Sequence, residues 1–198
     1  MSAPVRPTTL LLAALLALAL TACGADNPPG TISEDDLPSS VKVDNVRHDV
    51  QAGQVVCPDA NDAEDNHVMS PSENSDKDRR AAVAYELSGS DHQEVSNSVW
   101  RLSDPKAAVE QVAAGVDTCI KAHPDAYQRF DVKGYPDALG YVEAGGSPTM
   151  SYTRRILVPV DDRVVIVTSS RQGGDDFAVQ PDDLVKKAVD ASADAPEA

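Results

Sequence analysis

The chain has 198 residues and a formal net charge of −15 at pH 7, with 17 basic and 32 acidic side chains. This acidic balance argues against binding to nucleic acid or to an anionic membrane surface, since both attract basic patches. The length, with 41% hydrophobic residues, fits one domain of ordinary size once the terminal segments are set aside.

The N-terminus combines one positive charge, Arg6, with an uninterrupted apolar run over residues 10–20. The run is too short to span a bilayer, which needs about 20 residues, and it has the length of a secretory signal. The next residues complete Leu20-Thr21-Ala22-Cys23, which resembles the lipobox of bacterial lipoproteins. The resemblance implies that residues 1–22 are a signal peptide and that Cys23 is diacylated and becomes the first mature residue. An uncleaved membrane helix and a plain secretory signal are the alternatives.

Residues 23–40 are rich in glycine, proline, serine and acids and poor in apolar side chains. Such a segment cannot bury enough surface to offset the entropy lost on ordering, so we predict a flexible, lipid-anchored tether. Residues 41–192 are predicted to form a single α+β extracytoplasmic domain, and residues 193–198 a disordered tail. The expected location is the extracytoplasmic face of the cell membrane, with attachment through a diacylglyceryl anchor.

Two cysteines, Cys57 and Cys119, remain if Cys23 carries lipid. Thiols oxidise outside the cytoplasm, so an even remainder predicts one disulfide between them. Two free thiols or a metal pair with histidine are the alternatives. Zinc ligands normally come in closely spaced pairs, and no Cys-x-x-Cys or His-x-x-x-His occurs.

Acidic residues cluster between Asp59 and Asp65. An EF-hand loop needs oxygen ligands at positions 1, 3 and 5 and a glycine at position 6. Counted from Asp59, positions 5 and 6 are Ala63 and Glu64, so the match fails. We predict a long solvated loop over residues 61–78, and whether its acidic part binds a cation stays open.

Two helices and a series of strands are predicted. The first helix spans 104–122, because Asp104 is a good N-cap, Pro105 suits the first helical position, and apolar residues recur at spacings of three and four. The second spans 181–191. Period-two alternation predicts strands within 83–87, 95–102, 127–133, 139–144, 151–160 and 163–170. Asp161-Asp162 joins the last two as a hairpin. The predicted fold class is α+β, an antiparallel β-sheet backed by two main helices that leave one concave face uncovered.

The common phosphate-loop, nucleophile-elbow and zinc-protease motifs are absent, and an S-x-x-K match at Ser103–Lys106 is more simply explained by polar residues at a helix start. The sequence contains no G-x-G-x-x-G, no G-x-x-x-x-G-K-[ST], no G-x-S-x-G and no H-E-x-x-H. We therefore predict no catalytic residue, no metal ligand and no cofactor. Aromatic side chains concentrate between residues 127 and 152, and tyrosine rings suit a ligand groove. Tyr135, Tyr141 and Tyr152 lie on or beside the later strands and are the candidate ligand-binding residues, with ordinary core packing as the alternative.

The order of features after Cys57 resembles an actinobacterial family. A strand ends in Val99-Trp100-Arg101-Leu102, and Ser103-Asp104-Pro105-Lys106-Ala107-Ala108 then leads into a helix that ends in Cys119. This resembles lipoproteins of the PknH-like extracellular sensor-domain type over residues 40–192. The resemblance implies a helix-backed antiparallel sheet with a cleft for a cell-envelope ligand, and it carries over no catalytic residue. Members commonly have two disulfides, whereas this chain can form one.

The sequence as a whole predicts a lipid-anchored, sensor-like domain that binds a small molecule or another envelope component. A protein-interaction module and a hydrolase without recognisable motifs are the alternatives. A convergent serine, histidine and acid would favour the hydrolase, and a flat apolar patch would favour the protein partner. A cleft without such a triad would favour ligand binding.

Overall fold

A computed structural model of the chain describes residues 27–48, 58–69, 80–89, 92–144 and 151–195. The helices in these ranges are α1 (Pro58–Glu64), α2 (Pro105–Ala122) and α3 (Pro181–Ala191). A π-helical turn, Asp65–Met69, extends α1, and 3-10 turns cover Glu34–Asp36 and Ser192–Asp194. The strands are β1 (Val43–His48), β2 (Arg80–Leu87), β3 (Gln93–Arg101), β4 (Tyr127–Phe130), β5 (Leu139–Ala144), β6 (Ser151–Val160) and β7 (Arg163–Gln172).

The strands form one antiparallel sheet in the order β1-β2-β3-β7-β6-β5-β4. The predicted β6–β7 hairpin is confirmed, with Val160 opposite Arg163. Asp161 has a φ of +50°, as the two-residue turns of such hairpins commonly require. The α+β fold class is therefore confirmed.

The two main helices begin and end where the sequence predicts. The Asp104 carboxylate accepts a hydrogen bond from the Ala107 N–H at 3.0 Å, and Pro105 is the first helical residue. The predicted range 181–191 matches α3. Each helix carries a single apolar stripe, so each needs one sheet surface to bury it.

The helices lie on opposite faces of the sheet. Leu157 and Ile166 pack in one core with α1 and α2, whereas Ile156 and Val165 pack in a second core with α3. Because successive side chains of a strand point to opposite faces, these two cores lie on either side of β6 and β7. We call these surfaces the α2 face and the α3 face. The prediction that both helices leave one face uncovered is wrong, since each helix buries its stripe on its own side.

Most of α1 and all of the π-helical turn lie within the predicted loop, residues 61–78. α1 contacts α2 at Gly115, where an added Cβ would lie 2.5 Å from the Asp59 carbonyl oxygen. Only glycine permits this approach of two backbones. Val68, on the π-helical turn, is fully buried in the same core. Residues 61–69 are therefore helical through tertiary packing, and residues 70–78 lie outside the described residues.

The middle of the predicted tether packs on the α3 face. Ile32 is fully buried, its N–H donates to Asn97 Oδ1 at 3.0 Å, and its carbonyl accepts from the Tyr85 hydroxyl at 2.8 Å. We call residues 27–32 the strap. The tether prediction is wrong for this part, because specific hydrogen bonds from distant strands compensate for the low apolar content.

The C-terminal end packs beside the strap. An added Cβ on Gly30 would lie 2.5 Å from Ala195 Cβ, and Arg101 Nη2 donates to the Ala195 carbonyl at 3.1 Å. Ala195 is buried, so residues 193–195 belong to the fold and the predicted tail is wrong there. The signal segment 1–22, the anchor residue Cys23 and residues 196–198 lie outside the described residues.

Candidate functional site

A row of directly opposite residues crosses the α2 face from one sheet edge to the other. Its members, in strand order, are Arg47, Ala84, Ser96, Thr168, Arg155, Tyr141 and Arg129. We call it the polar row, since only one member lacks a polar side chain. On one side of the polar row, the next residues of β7 on the same face are Ile166 and Val164, and α2 packs against them. The α2 face is therefore apolar beneath α2 and polar from this row toward the far end of the sheet.

A buried ion pair lies at the centre of the polar row. Arg155 Nη2, on β6, donates to Glu64 Oε1, on α1, and the two side chains are 0% and 1% exposed. Burial raises the pKa of Glu64, and the attraction of Arg155 offsets this only in part. The pair fixes the end of α1 above the centre of the sheet.

Three polar atoms around this pair have no hydrogen-bond partner in the described structure. They are Glu64 Oε2, the Tyr141 hydroxyl and Thr168 Oγ1. All three side chains are at most 4% exposed, and burial raises the pKa of Tyr141. Buried polar atoms are almost always hydrogen-bonded, so these three atoms mark the most polar part of the buried α2 face.

Two adjoining cavities lie at the end of the sheet, between the β2–β3 hairpin and the paired ends of β6 and β7. They measure about 290 and 660 Å³ and share four lining residues, Leu87, His92, Gln93 and Arg171. We call them together the sheet-end cleft. Ser170 lines the larger cavity and lies two residues from Thr168 on β7, hence on the same face. The cleft thus adjoins the polar row.

The walls of the cleft are held by side-chain hydrogen bonds. Gln93 Nε2 donates to the Val179 carbonyl at 2.7 Å, and Gln93 Oε1 accepts from the Ala178 N–H at 2.8 Å. Arg47 contacts Glu86 at 3.3 Å and also pairs with Glu94, both of which line the larger cavity. These contacts leave a rim of mixed donors and acceptors around a preformed space.

His92, which lines the cleft, has an unusual backbone conformation. Its φ of +40° is unusual for a residue other than glycine. Such conformations cost on the order of 1–3 kcal/mol and cluster at ligand-binding sites. His92 lies between β2 and β3 and lines both cavities, so this constrained backbone forms part of their shared wall.

The smaller cavity also brings together the residue types of a hydrolytic triad. Ser88, His92 and Asp176 all line it. The Ser88 hydroxyl donates to Asp44 instead, and no hydrogen bond joins Ser88 to His92 in the described part of the chain. A serine nucleophile requires a base within hydrogen-bond reach, so the set is not assembled as a triad.

The three candidate tyrosines do not share one groove. Tyr141 is 1% exposed and belongs to the polar row. Tyr152 lies directly opposite Arg171 on the α3 face, next to the cleft. Tyr135 lines a third cavity of about 540 Å³ beside the β4–β5 loop. The prediction that these rings reach one common groove is wrong, because Tyr141 and Tyr152 lie on opposite faces of the sheet and Tyr135 lies in the β4–β5 loop. That any one of them binds a ligand stays a prediction.

The other predicted sites give a mixed result. Cys57 lies outside the described residues, so its pairing with Cys119 stays a prediction. Cys119 is 3% exposed and lies one helical turn after Gly115, where α1 contacts α2. In the acidic stretch, Asp65 accepts a hydrogen bond from Asn61 at 3.0 Å. Within the described ranges, no group of three His, Cys, Asp or Glu side chains is placed to hold a metal ion.

Sequence reasoning missed the residues that form the cleft. Arg171 and His92 carry no sequence signal that separates them from surface residues, and Ser170 is simply the last residue of a predicted strand. Arg155 could have been recognised from the sequence, because it lies two residues before Leu157 on β6 and so faces the same buried side of the sheet. A charge at a core parity position indicates a buried pair.

The helices of the described ranges include none that is both long and apolar enough to cross a membrane. No protein-family model matches the chain. A search of curated proteins finds no match either. Function is therefore inferred from the sheet-end cleft, the polar row and the N-terminal sequence.

Proposed function

We propose that the protein is a lipid-anchored extracytoplasmic domain that binds a small polar molecule of the cell envelope in the sheet-end cleft. The main support for this proposal is the pair of adjoining cavities, whose rim offers hydrogen-bond donors and acceptors. The larger one falls within the range of about 300–1,000 Å³ typical of small-molecule sites. The resemblance to PknH-like sensor domains supports the same class of function.

A polar ligand fits the lining better than an apolar one. The larger cavity is bordered by carboxylates at Glu86 and Glu94, a hydroxyl at Ser170 and a guanidinium at Arg171. Groups of this kind stay hydrogen-bonded in the complex only if the ligand offers matching donors and acceptors. The unpartnered Thr168 hydroxyl lies on the same face of β7 and would extend this polar lining inward.

Ligand binding is testable by NMR titration. The isotope-labelled mature chain with Cys23→Ser is titrated with the low-molecular-weight fraction of a cell-envelope extract. We expect amide shifts at the cleft that Arg171→Ala abolishes. Lys106→Ala, which removes an exposed charge paired with Asp137 at 3.2 Å, is the control and should retain them. Shifts that survive Arg171→Ala, or the absence of any shift, would contradict the cleft as the site.

The anchor has its own test. Cys23 follows the apolar run at the lipobox position, so Cys23→Ser should abolish acylation and shift the protein from the membrane to the soluble fraction. Identical fractionation and identical mass of the mature wild-type and variant chains, apart from the substitution, would disprove lipidation.

A hydrolase is the second candidate, favoured by the shared cavity of Ser88, His92 and Asp176. To assemble the triad, the Ser88 side chain would have to turn from Asp44 toward His92 when substrate binds. Catalytic hydrogen bonds are often long or poorly aligned before substrate binds. Assays with esters, peptides and glycans decide between the two. Turnover that Ser88→Ala abolishes would establish the hydrolase, and Asp44→Asn serves as the control for the hydrogen bond alone.

A further inference from the structure

The strap begins four residues after the cysteine that the lipobox pattern marks for lipidation. Asn27 Nδ2 donates to the Tyr85 hydroxyl at 2.5 Å and to the Ile32 carbonyl at 2.9 Å. Ile32 is itself fully buried on the α3 face. The folded domain therefore begins at Asn27, far closer to Cys23 than the sequence predicts.

The distance between anchor and domain is bounded by chain length alone. Three residues, 24–26, separate Cys23 from Asn27. At no more than about 3.6 Å per residue, the four steps span at most about 14 Å. A flexible tether as far as residue 41 would give a root-mean-square span of about 23 Å and a much longer maximum.

We propose that the domain is held directly at the bilayer surface, with the strap side of the α3 face toward the lipid. The inference rests on the proposed lipidation of Cys23. The lipid moiety supplies the membrane affinity, and the docked strap sets the position and orientation. The α2 face, with α1 and α2 on it, then points away from the membrane.

The acidic residues near the strap indicate that the lipid anchor, and not electrostatic attraction to the bilayer, sets the orientation of the domain. The 3-10 turn after the strap carries Glu34, Asp35 and Asp36, and the first two are exposed. Carboxylates within about 10 Å of an anionic leaflet are repelled at physiological salt. The exposed Lys186 and Lys187 on α3 pair with Asp190 and Asp36, so their charges are offset within the domain. We therefore assign the position at the surface to the anchor, and a longer linker would release the domain.

Energy transfer to the bilayer tests this arrangement. A fluorescent amino acid is placed at the exposed Glu34 on the strap side or at the exposed Glu110 on α2. The lipidated mature protein is reconstituted in phosphatidylcholine vesicles with an acceptor on the lipid headgroups. Transfer from position 34 should be at least about twofold higher, because the sheet and α2 place position 110 about 20 Å farther from the bilayer.

A linker variant provides the matched control. Inserting about ten glycine and serine residues between Ala25 and Asp26 leaves the strap intact and should abolish the difference between the two positions. Equal transfer from both positions in the lipidated wild type would overturn the proposal. Cys23→Ser should show no transfer at all. A wild type that lacks both transfer and acyl mass would instead refute the lipid anchor, and with it this inference.

Discussion

The buried pair of Glu64 and Arg155 gives the sharpest test of how the α2 face is held together. Both side chains are fully enclosed, and the pair joins the short α1 to the interior strand β6. Removing one partner leaves the other charge buried without compensation, which typically costs 3–5 kcal/mol. We expect Glu64→Leu and Arg155→Met each to lower the free energy of unfolding by about 4 kcal/mol.

The double variant should be less destabilised than either single variant. With both charges replaced by apolar side chains of similar volume, the desolvation penalty disappears, and such replacements are often neutral or stabilising. The polar atoms of Tyr141 and Thr168 remain unpartnered, so we do not expect a net gain.

Urea unfolding of the mature Cys23→Ser chain without reductant measures these values. With a slope of about 2 kcal/mol per molar urea, a loss of about 4 kcal/mol moves the midpoint by about 2 M. Losses that simply add in the double variant would show that the two residues do not interact. Single losses below about 1 kcal/mol would refute the buried pair.

The same pair gives a pH dependence with a defined sign. Burial raises the folded-state pKa of Glu64 above the ordinary value of 4.5. The folded state then binds the proton more tightly, so the Glu64 contribution to stability is full below pH 4.5 and is lost as pH rises through the folded-state pKa. Glu64→Gln lacks this titration. The difference in unfolding free energy between Glu64→Gln and wild type should be constant below pH 4.5. Above pH 4.5 it should change in favour of the variant, and a change in favour of wild type would contradict the raised pKa of Glu64.

Three further predictions concern the packing of separate elements. Gly115→Ala should cost about 1–3 kcal/mol in urea unfolding, because the new Cβ meets the Asp59 carbonyl oxygen at 2.5 Å, and a neutral effect would exclude this close contact. Tyr85→Phe should cost about 0.5–1.5 kcal/mol and increase proteolysis of the strap, because the Ile32 carbonyl loses one of its two donors, and unchanged proteolysis would refute strap docking. Cys119→Ala should cost about 2–5 kcal/mol without reductant if the predicted disulfide exists, and alkylation of both thiols in the native, unreduced protein would disprove it.

The elements that could be predicted from sequence are those with strong local signals. α2 and α3 have a proline at their start and one apolar stripe, and the β6–β7 hairpin has turn residues between two apolar strands. α1 also begins with a proline, Pro58, but it has no apolar stripe, because its seven residues are small or polar. Its stability comes from Gly115 and Arg155, which lie 51 or more residues away along the chain.

The strap and the cleft could not be predicted for a related reason. The strap sequence is polar, and its order depends on Asn97 and Tyr85, which are 65 and 53 residues from Ile32 in sequence. The cleft depends on which residues of β3, β6 and β7 end at the same edge, and that register is a property of pairing between strands. Alternation within β5 shows that Tyr141 faces the opposite side of the sheet from the residues next to it in sequence. It does not show whether Tyr152, on β6, lies on the same face as Tyr141.

Native mass spectrometry of the protein purified from its own host tests the proposed binding function most directly. The account predicts a wild-type species with an added mass from a small polar molecule, and loss of that mass in Arg171→Ala but not in Lys106→Ala. A wild-type protein that carries no added mass at any cone voltage, or an adduct that Arg171→Ala retains in full, would contradict the assignment of the sheet-end cleft as a ligand site.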